Sequence, residues 1–202
     1  MATAQLEHPL IQNGAPHPLH WSRASYYLVA ETGCFQGKRV ELIEGEIIEM
    51  SPMGSPHWVA VANVNQILQR AMSDDFLVIA QLPISLSDDT EPEPDVAVVA
   101  GRPDDYREGH PRTALLVVEV SDSSLQYDRN RKSRIYAAAN VADYWIVDLN
   151  QGRVEVRRQP TATDSGHEYM ELKVYSAADS VSPLIAPAVS IAVADLLPRK
   201  GK

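Results

Sequence analysis

Near the middle of the chain lie two successive strand-like runs, Glu93-Pro94-Asp95-Val96-Ala97-Val98-Val99 and Leu115-Leu116-Val117-Val118-Glu119-Val120-Ser121. Each is apolar or β-branched and carries a carboxylate, Asp95 or Glu119, toward one end. Carboxylates are depleted in buried strands, and burying an unpaired charge is costly. Side chains alternate along a strand, so Asp95 shares a face with Ala97 and Val99, and Glu119 shares one with Leu115 and Val117. If the strands are neighbours, the two acids converge. Two hard oxygen ligands on rigid elements suit magnesium or manganese, ions that keep several waters. The plainer alternative is that each acid caps a strand end or pairs with an arginine.

The remaining pattern surrounds these runs with alternating elements. Helices are expected over 21–32, with Ser22 as N-cap, over 57–72, with an apolar stripe of Val61, Val64, Leu68 and Met72, and over 130–140. Strands are expected in two segments of 39–50 around a turn at Gly45, then over 76–80, 82–86, 143–149, 153–158, 168–175 and 189–193. This order implies an α/β or α+β domain with a mixed sheet and a helix on each face. Residues 1–18 hold Pro9, Gly14, Pro16 and Pro18 with little periodicity and read as a flexible N-terminal arm, leaving 19–202 as one domain.

Bulk properties narrow the function classes. The 202 residues carry a formal net charge of -9, which argues against a protein that coats nucleic acid through a broad basic surface. Arg129, Arg131, Lys132 and Arg134 form the one dense basic cluster and are the expected place for a phosphate backbone to dock, although a solvated helix face explains them nearly as well. No apolar run reaches bilayer length, no signal-peptide pattern opens the chain, and Cys34 is the single cysteine. A reducing, cytoplasmic setting is therefore the expectation. Phosphate-binding glycine loops, zinc-type His or Cys motifs and a GxSxG nucleophile elbow are all missing.

Three further residues have chemistry to offer. Glu41 shares strand parity with Ile43 and so leans toward the core, although each glutamate of this segment also reads as a solvated edge charge. Lys132 falls in the first turn of the expected 130–140 helix, on the side of Tyr136 and Ala139. A lysine at the positive end of a helix is better placed facing carboxylates or a phosphate, with Asp128 to orient it; a snorkelling surface lysine is the alternative. His57 opens its helix and either touches substrate or has a structural role.

Taken in order, these motifs resemble the Uma-two family of restriction-endonuclease-like proteins, relatives of the PD-(D/E)XK nuclease superfamily. The resemblance runs from about Ser22 to Leu197 and is carried by Glu41-Leu42-Ile43-Glu44-Gly45-Glu46, Ser51-Pro52-Met53-Gly54-Ser55-Pro56-His57, Pro94-Asp95, Val118-Glu119-Val120-Ser121, Asp128-Arg129-Asn130-Arg131-Lys132, Tyr136-Ala137 and Asp143-Tyr144-Trp145-Ile146-Val147-Asp148. It implies a restriction-endonuclease-like core in which Asp95, Glu119 and the Val120 carbonyl bind Mg2+ or Mn2+. The superfamily lysine belongs two residues after the second acid, where this chain has Ser121; the resemblance moves that role to Lys132 and makes Glu41 the additional acid. The implied activity is metal-assisted hydrolysis of DNA phosphodiester bonds by a homodimer. The rival expectations are a catalytically inactive nucleic-acid-binding or protein-interaction module on the same fold, and a metal-dependent enzyme for a small phosphorylated or acidic substrate.

Overall fold

The computed structural model describes residues 16–199. Most of the expected N-terminal arm, including Pro9 and Gly14, lies outside them. The first helix, α1 (Arg23–Glu31), is started by a reciprocal cap: Ser22 Oγ accepts from Ser25 N, and Ser25 Oγ accepts from Ser22 N. A hairpin follows, β1 (Val40–Ile43) with β2 (Glu46–Glu49). Its turn residues Glu44 and Gly45 both have positive φ, 51° and 74°, the backbone a two-residue hairpin turn requires. A Cβ on Gly45 would also meet the His20 ring at 2.2 Å.

Helix α2 (Ser55–Ala71) begins two residues before the expected start because Pro56 fits its first turn, where no amide hydrogen is needed. Its buried residues are Ala60, Val61, Val64 and Leu68, most of the expected stripe. The main sheet has six strands in the order β3 (Phe76–Ile79), β4 (Val96–Ala100), β5 (Leu116–Ser121), β6 (Asp143–Asp148), β7 (Arg153–Thr163) and β8 (Gly166–Ser176). All neighbours run antiparallel except β5 and β6, which are parallel. That pair needs a crossover, supplied by α3 (Leu125–Tyr127), a π-helical turn over Asp128–Lys132, and α4 (Ser133–Ala138). A small pair, β9 (Ser180–Val181) with β10 (Ile191–Ala192), precedes α5 (Val193–Leu196).

Period-two alternation loads both faces of the sheet. Val96, Val98, Leu116, Val118 and Trp145 pack with α2 on one side. Ala97, Val99, Val117, Tyr144 and Ile146 pack with Ile135 and Tyr136 of α4 on the other. Strands covered on both faces read as continuous apolar runs, which explains why β5 and β6 are buried along their whole length.

Two sequence expectations need correction. Residues 82–86 form no strand. Pro83 lacks a donor, and the segment bonds instead to its own turn through Ile84 N to Pro92 O and Leu86 N to Thr90 O. The helical path expected from 130 starts at Leu125, so Lys132 lies beyond the first turn and the dipole argument made for it does not apply. Asn140, at φ 57°, ends that path as a left-handed cap.

Candidate active site

The register of β4 and β5 pairs Val96 with Val118 and Ala97 with Val117. Continued by one step, it sets Asp95 opposite Glu119. The two acids are tied by backbone: Glu119 Oε2 accepts Asp95 N–H at 3.2 Å, and Asp95 Oδ2 accepts Val120 N–H at 2.9 Å. Both are nearly sealed, at 8% and 5% exposure.

From the opposite side comes Lys132, which is 1% exposed. Its Nζ donates to Glu41 Oε2 at 2.6 Å and lies 3.3 Å from Glu119 Oε1. One helical turn on, Tyr136 donates its hydroxyl to the same Glu119 oxygen at 2.6 Å. Thus β1, β5 and the crossover helix bring Glu41, Glu119 and Lys132 into contact, and Asp95 adjoins them. An ammonium with three donors and two carboxylate partners keeps one donor free. Asp128 does not orient Lys132 directly. Its Oδ2 accepts from Ser121 and Ser124, each at 2.6 Å. Ser121 is therefore an anchor for the crossover helix.

His57 and Gln81 complete the surround of Asp95. His57 Nε2 is 3.1 Å from Asp95 Oδ1, and Gln81 Nε2 is 3.4 Å from it. His57 was recognisable as a helix-opening residue after the proline-rich loop. Gln81 carried no sequence signal: it reaches the site through a left-handed backbone at φ 53°. His57 also lines a cavity of about 300 Å³ with Arg39, Glu41, Glu93, Asp95, Glu119, Val120 and Lys132 on its wall.

Electrostatics distinguish this pocket. Burial pushes Glu119 up to about 8 against the pull of Lys132, with Asp95, Asp128 and Glu41 adding to the rise. Burial and the Glu41 charge also raise Glu93. Lys132 loses basicity through burial, yet Glu119 and Glu41 outweigh that loss and hold it above the ordinary lysine range. Acids on the wall outnumber its cations, Arg39 and Lys132. Among the described residues no three His, Cys, Asp or Glu side chains form a ready-made metal cage. The donors available to a hard cation are the spare lone pairs of Asp95 and Glu119 and the polar backbone of Val120, with room for water. That set, with its excess of negative charge, fits magnesium or manganese.

The three arginines of the basic cluster are paired with acids. Arg129 pairs with Glu155 and Asp148, Arg131 with Glu44 and Glu46, and Arg134 with Glu44. Those partners are distant in sequence, so the run alone gave no sign of them.

A mixed sheet clasped by helices, with acids at the ends of two central strands and a lysine facing them, defines a restriction-endonuclease-like fold. The Uma2 family model, described as "Putative restriction endonuclease", matches residues 26–194, and the chain belongs to that family. Among solved structures it is similar to a "putative nuclease" from Anabaena variabilis, with 16% sequence identity, coverage of 79% of this chain and 89% of that one, and a TM-score of 0.62, a likeness of fold. No curated protein matches the chain. No helix among the described residues is long and apolar enough to cross a membrane.

Proposed function

We propose that this protein is an endonuclease that hydrolyses DNA phosphodiester bonds with a bound Mg2+ or Mn2+. The observation that carries the reading is the meeting of Glu41, Asp95, Glu119 and Lys132 at one accessible cavity. Asp95, Glu119 and the Val120 carbonyl are assigned as ligands. When bound, the ion supplies Lewis acidity toward a phosphoryl oxygen and a lowered pKa for its water.

The chain's own residues do the rest. Tyr136 and the Asp95 amide each hold one oxygen of Glu119, which fixes the carboxylate's orientation. His57, Gln81 and the Val120 amide do the same for Asp95. Lys132 stays charged, so it acts by stabilising negative charge at the phosphoryl group with its remaining donor and not by accepting a proton. Glu41 keeps that ammonium aimed at the cavity. Cleavage of both strands of a duplex calls for two such sites, hence a homodimer.

The test is plasmid cleavage by the wild-type chain with Mn2+, with and without chelator, beside Asp95→Ala. Metal-dependent nicking that Asp95→Ala abolishes is the expected result; metal-independent nicking, or none, removes the reading. The engagement of Arg129, Arg131 and Arg134 by acids favours a second reading, an inactive binding module. Duplex binding by Asp95→Ala equal to that of a wild type that never cleaves would establish it.

A further inference from the structure

Strand β8 ends the main sheet, and among the described residues no strand covers its outer edge. The opposite edge, β3, is only 4 residues long, whereas β8 has 11. Long open edges with exposed apolar side chains are templates for pairing, and proteins ordinarily shorten or charge them. Here Met170, Leu172 and Val174 occupy alternate positions on one face and are 63%, 53% and 51% exposed. The intervening Glu171 and Lys173 are joined to each other across the surface, at 2.6 Å, and Glu171 also accepts from Gln159 Nε2 of β7 at 3.3 Å.

The pattern is self-complementary. Residues 170–174 read apolar, acidic, apolar, basic, apolar. Reversing the segment exchanges the acid and the base and leaves the apolar positions in place. In an antiparallel ladder built on a two-fold axis normal to the sheet, one residue faces its own copy, and positions before it face positions after it.

We propose that β8 pairs edge to edge with β8 of a second copy of this chain, antiparallel, with the two-fold axis at Leu172. Leu172 then faces the partner's Leu172, Met170 faces the partner's Val174, and Glu171 faces the partner's Lys173. Both ends of the segment make the same contacts, so the charges neutralise twice across the junction. The adjacent registers are excluded by the same arithmetic. Centring on Glu171 sets two carboxylates opposite each other, and centring on Lys173 sets two ammonium groups opposite; like charges directly across a ladder repel. Centring on Met170 or Val174 puts Leu172 opposite Glu168 or Ser176 and leaves the charges unmatched. An unrelated partner would have no need of this symmetry, which is why a second copy is the occupant.

This interface is independent of the nuclease reading, and its test uses neither metal nor nucleic acid. Sedimentation equilibrium of the full chain in a Cys34→Ser background, over the micromolar range, is expected to show a dimer. Glu171→Lys should weaken it at least tenfold, as should Lys173→Glu, and the double exchange Glu171→Lys/Lys173→Glu should restore it. Leu172→Cys in the same background should form a disulfide-linked dimer on mild oxidation, whereas Glu168→Cys should not. A monomer throughout, a dimer indifferent to the single changes, or a double exchange that fails to recover would overturn the proposal. Because the double exchange carries both substitutions, its recovery also shows that the single variants had not simply misfolded.

Discussion

Glu119 on β5 and Glu155 on β7 belong to the same sheet, are 5% and 3% exposed, and shift in opposite directions on folding. Burial pushes both upward. Around Glu155 the guanidinium groups of Arg129 and Arg157 overcome it and hold the carboxyl below its ordinary value, with Arg153 also close. Around Glu119 there is one ammonium, shared with Glu41, and further acids nearby; the carboxyl ends at about 8. One cluster is closed, with its charges balanced by the fold. The other is open, with its acids only partly balanced by Lys132. Burial of acids is common to both, so the sign of the uncompensated charge, and not burial, marks the candidate active site.

The largest expected break in this contrast comes from Lys132→Met. Among the described residues, it removes the only cation in contact with Glu41 and Glu119. Cleavage should fall at least about a hundredfold, the usual cost of losing an electrostatic group at a reacting centre. Mn2+ binding should survive, since the site becomes more negative. Plasmid nicking and calorimetric titration on the same preparation check both halves; retained turnover removes the lysine from the mechanism. The metal-free variant should also lose about 3 kcal/mol in urea unfolding, because the buried Glu41 loses the ammonium it is paired with.

Arg129→Ala makes the corresponding break in the closed cluster. Arg153 and Arg157 remain near Glu155, so a loss of about 2 kcal/mol in urea unfolding is expected, smaller than for an isolated buried pair. Cleavage by the folded fraction should be unchanged. A matching loss of activity would mean that Arg129 contributes to substrate binding in spite of its ion pairs.

The two clusters also separate by pH. A raised carboxyl stabilises the folded state fully below its unfolded value, near 4.5, and that contribution is lost as pH rises through about 8. Glu155 has the opposite sign: its contribution is present above 4.5 and is lost as pH falls through its depressed folded value. Mn2+ must displace the Glu119 proton, so its affinity should climb about tenfold per pH unit up to about 8 and then level off. Titration in buffers of different ionisation enthalpy reads the released proton directly. Affinity independent of pH between 4.5 and about 8, the window this shift defines, would take Glu119 out of the ligand set.

Much of this contrast was legible in the chain and some was not, for identifiable reasons. Strand periodicity announced Asp95 and Glu119 because charges in apolar strands are costly. The apolar stripe placed Lys132 on the packed side beside Tyr136, since that relation needs only local helical spacing. The π-helical turn at Asp128–Lys132 had no signature, because Asp128-Arg129-Asn130-Arg131-Lys132 contains no breaker and the turn is set by Asp128 bonding to Ser121 and Ser124. The arginines looked available because Glu44 and Glu155, their neutralising partners, are distant in sequence. Gln81 entered through a backbone conformation that side-chain chemistry does not reveal.

The smallest effect is expected from Glu119→Gln, and it is the most discriminating. Burial raises the Glu119 carboxyl to about 8, so in the absence of metal at neutral pH an amide of the same shape should change stability by less than about 1 kcal/mol. Glu155→Gln, by contrast, removes an ionised acid from among arginines and should cost more than that under the same conditions. With Mn2+ at a hundred times its dissociation constant, the wild type should gain about 2.7 kcal/mol, and Glu119→Gln should gain little. Equal metal-free losses for the two variants would mean that Glu119 is ionised and paired like Glu155, and the open cluster would then need no cation to complete it.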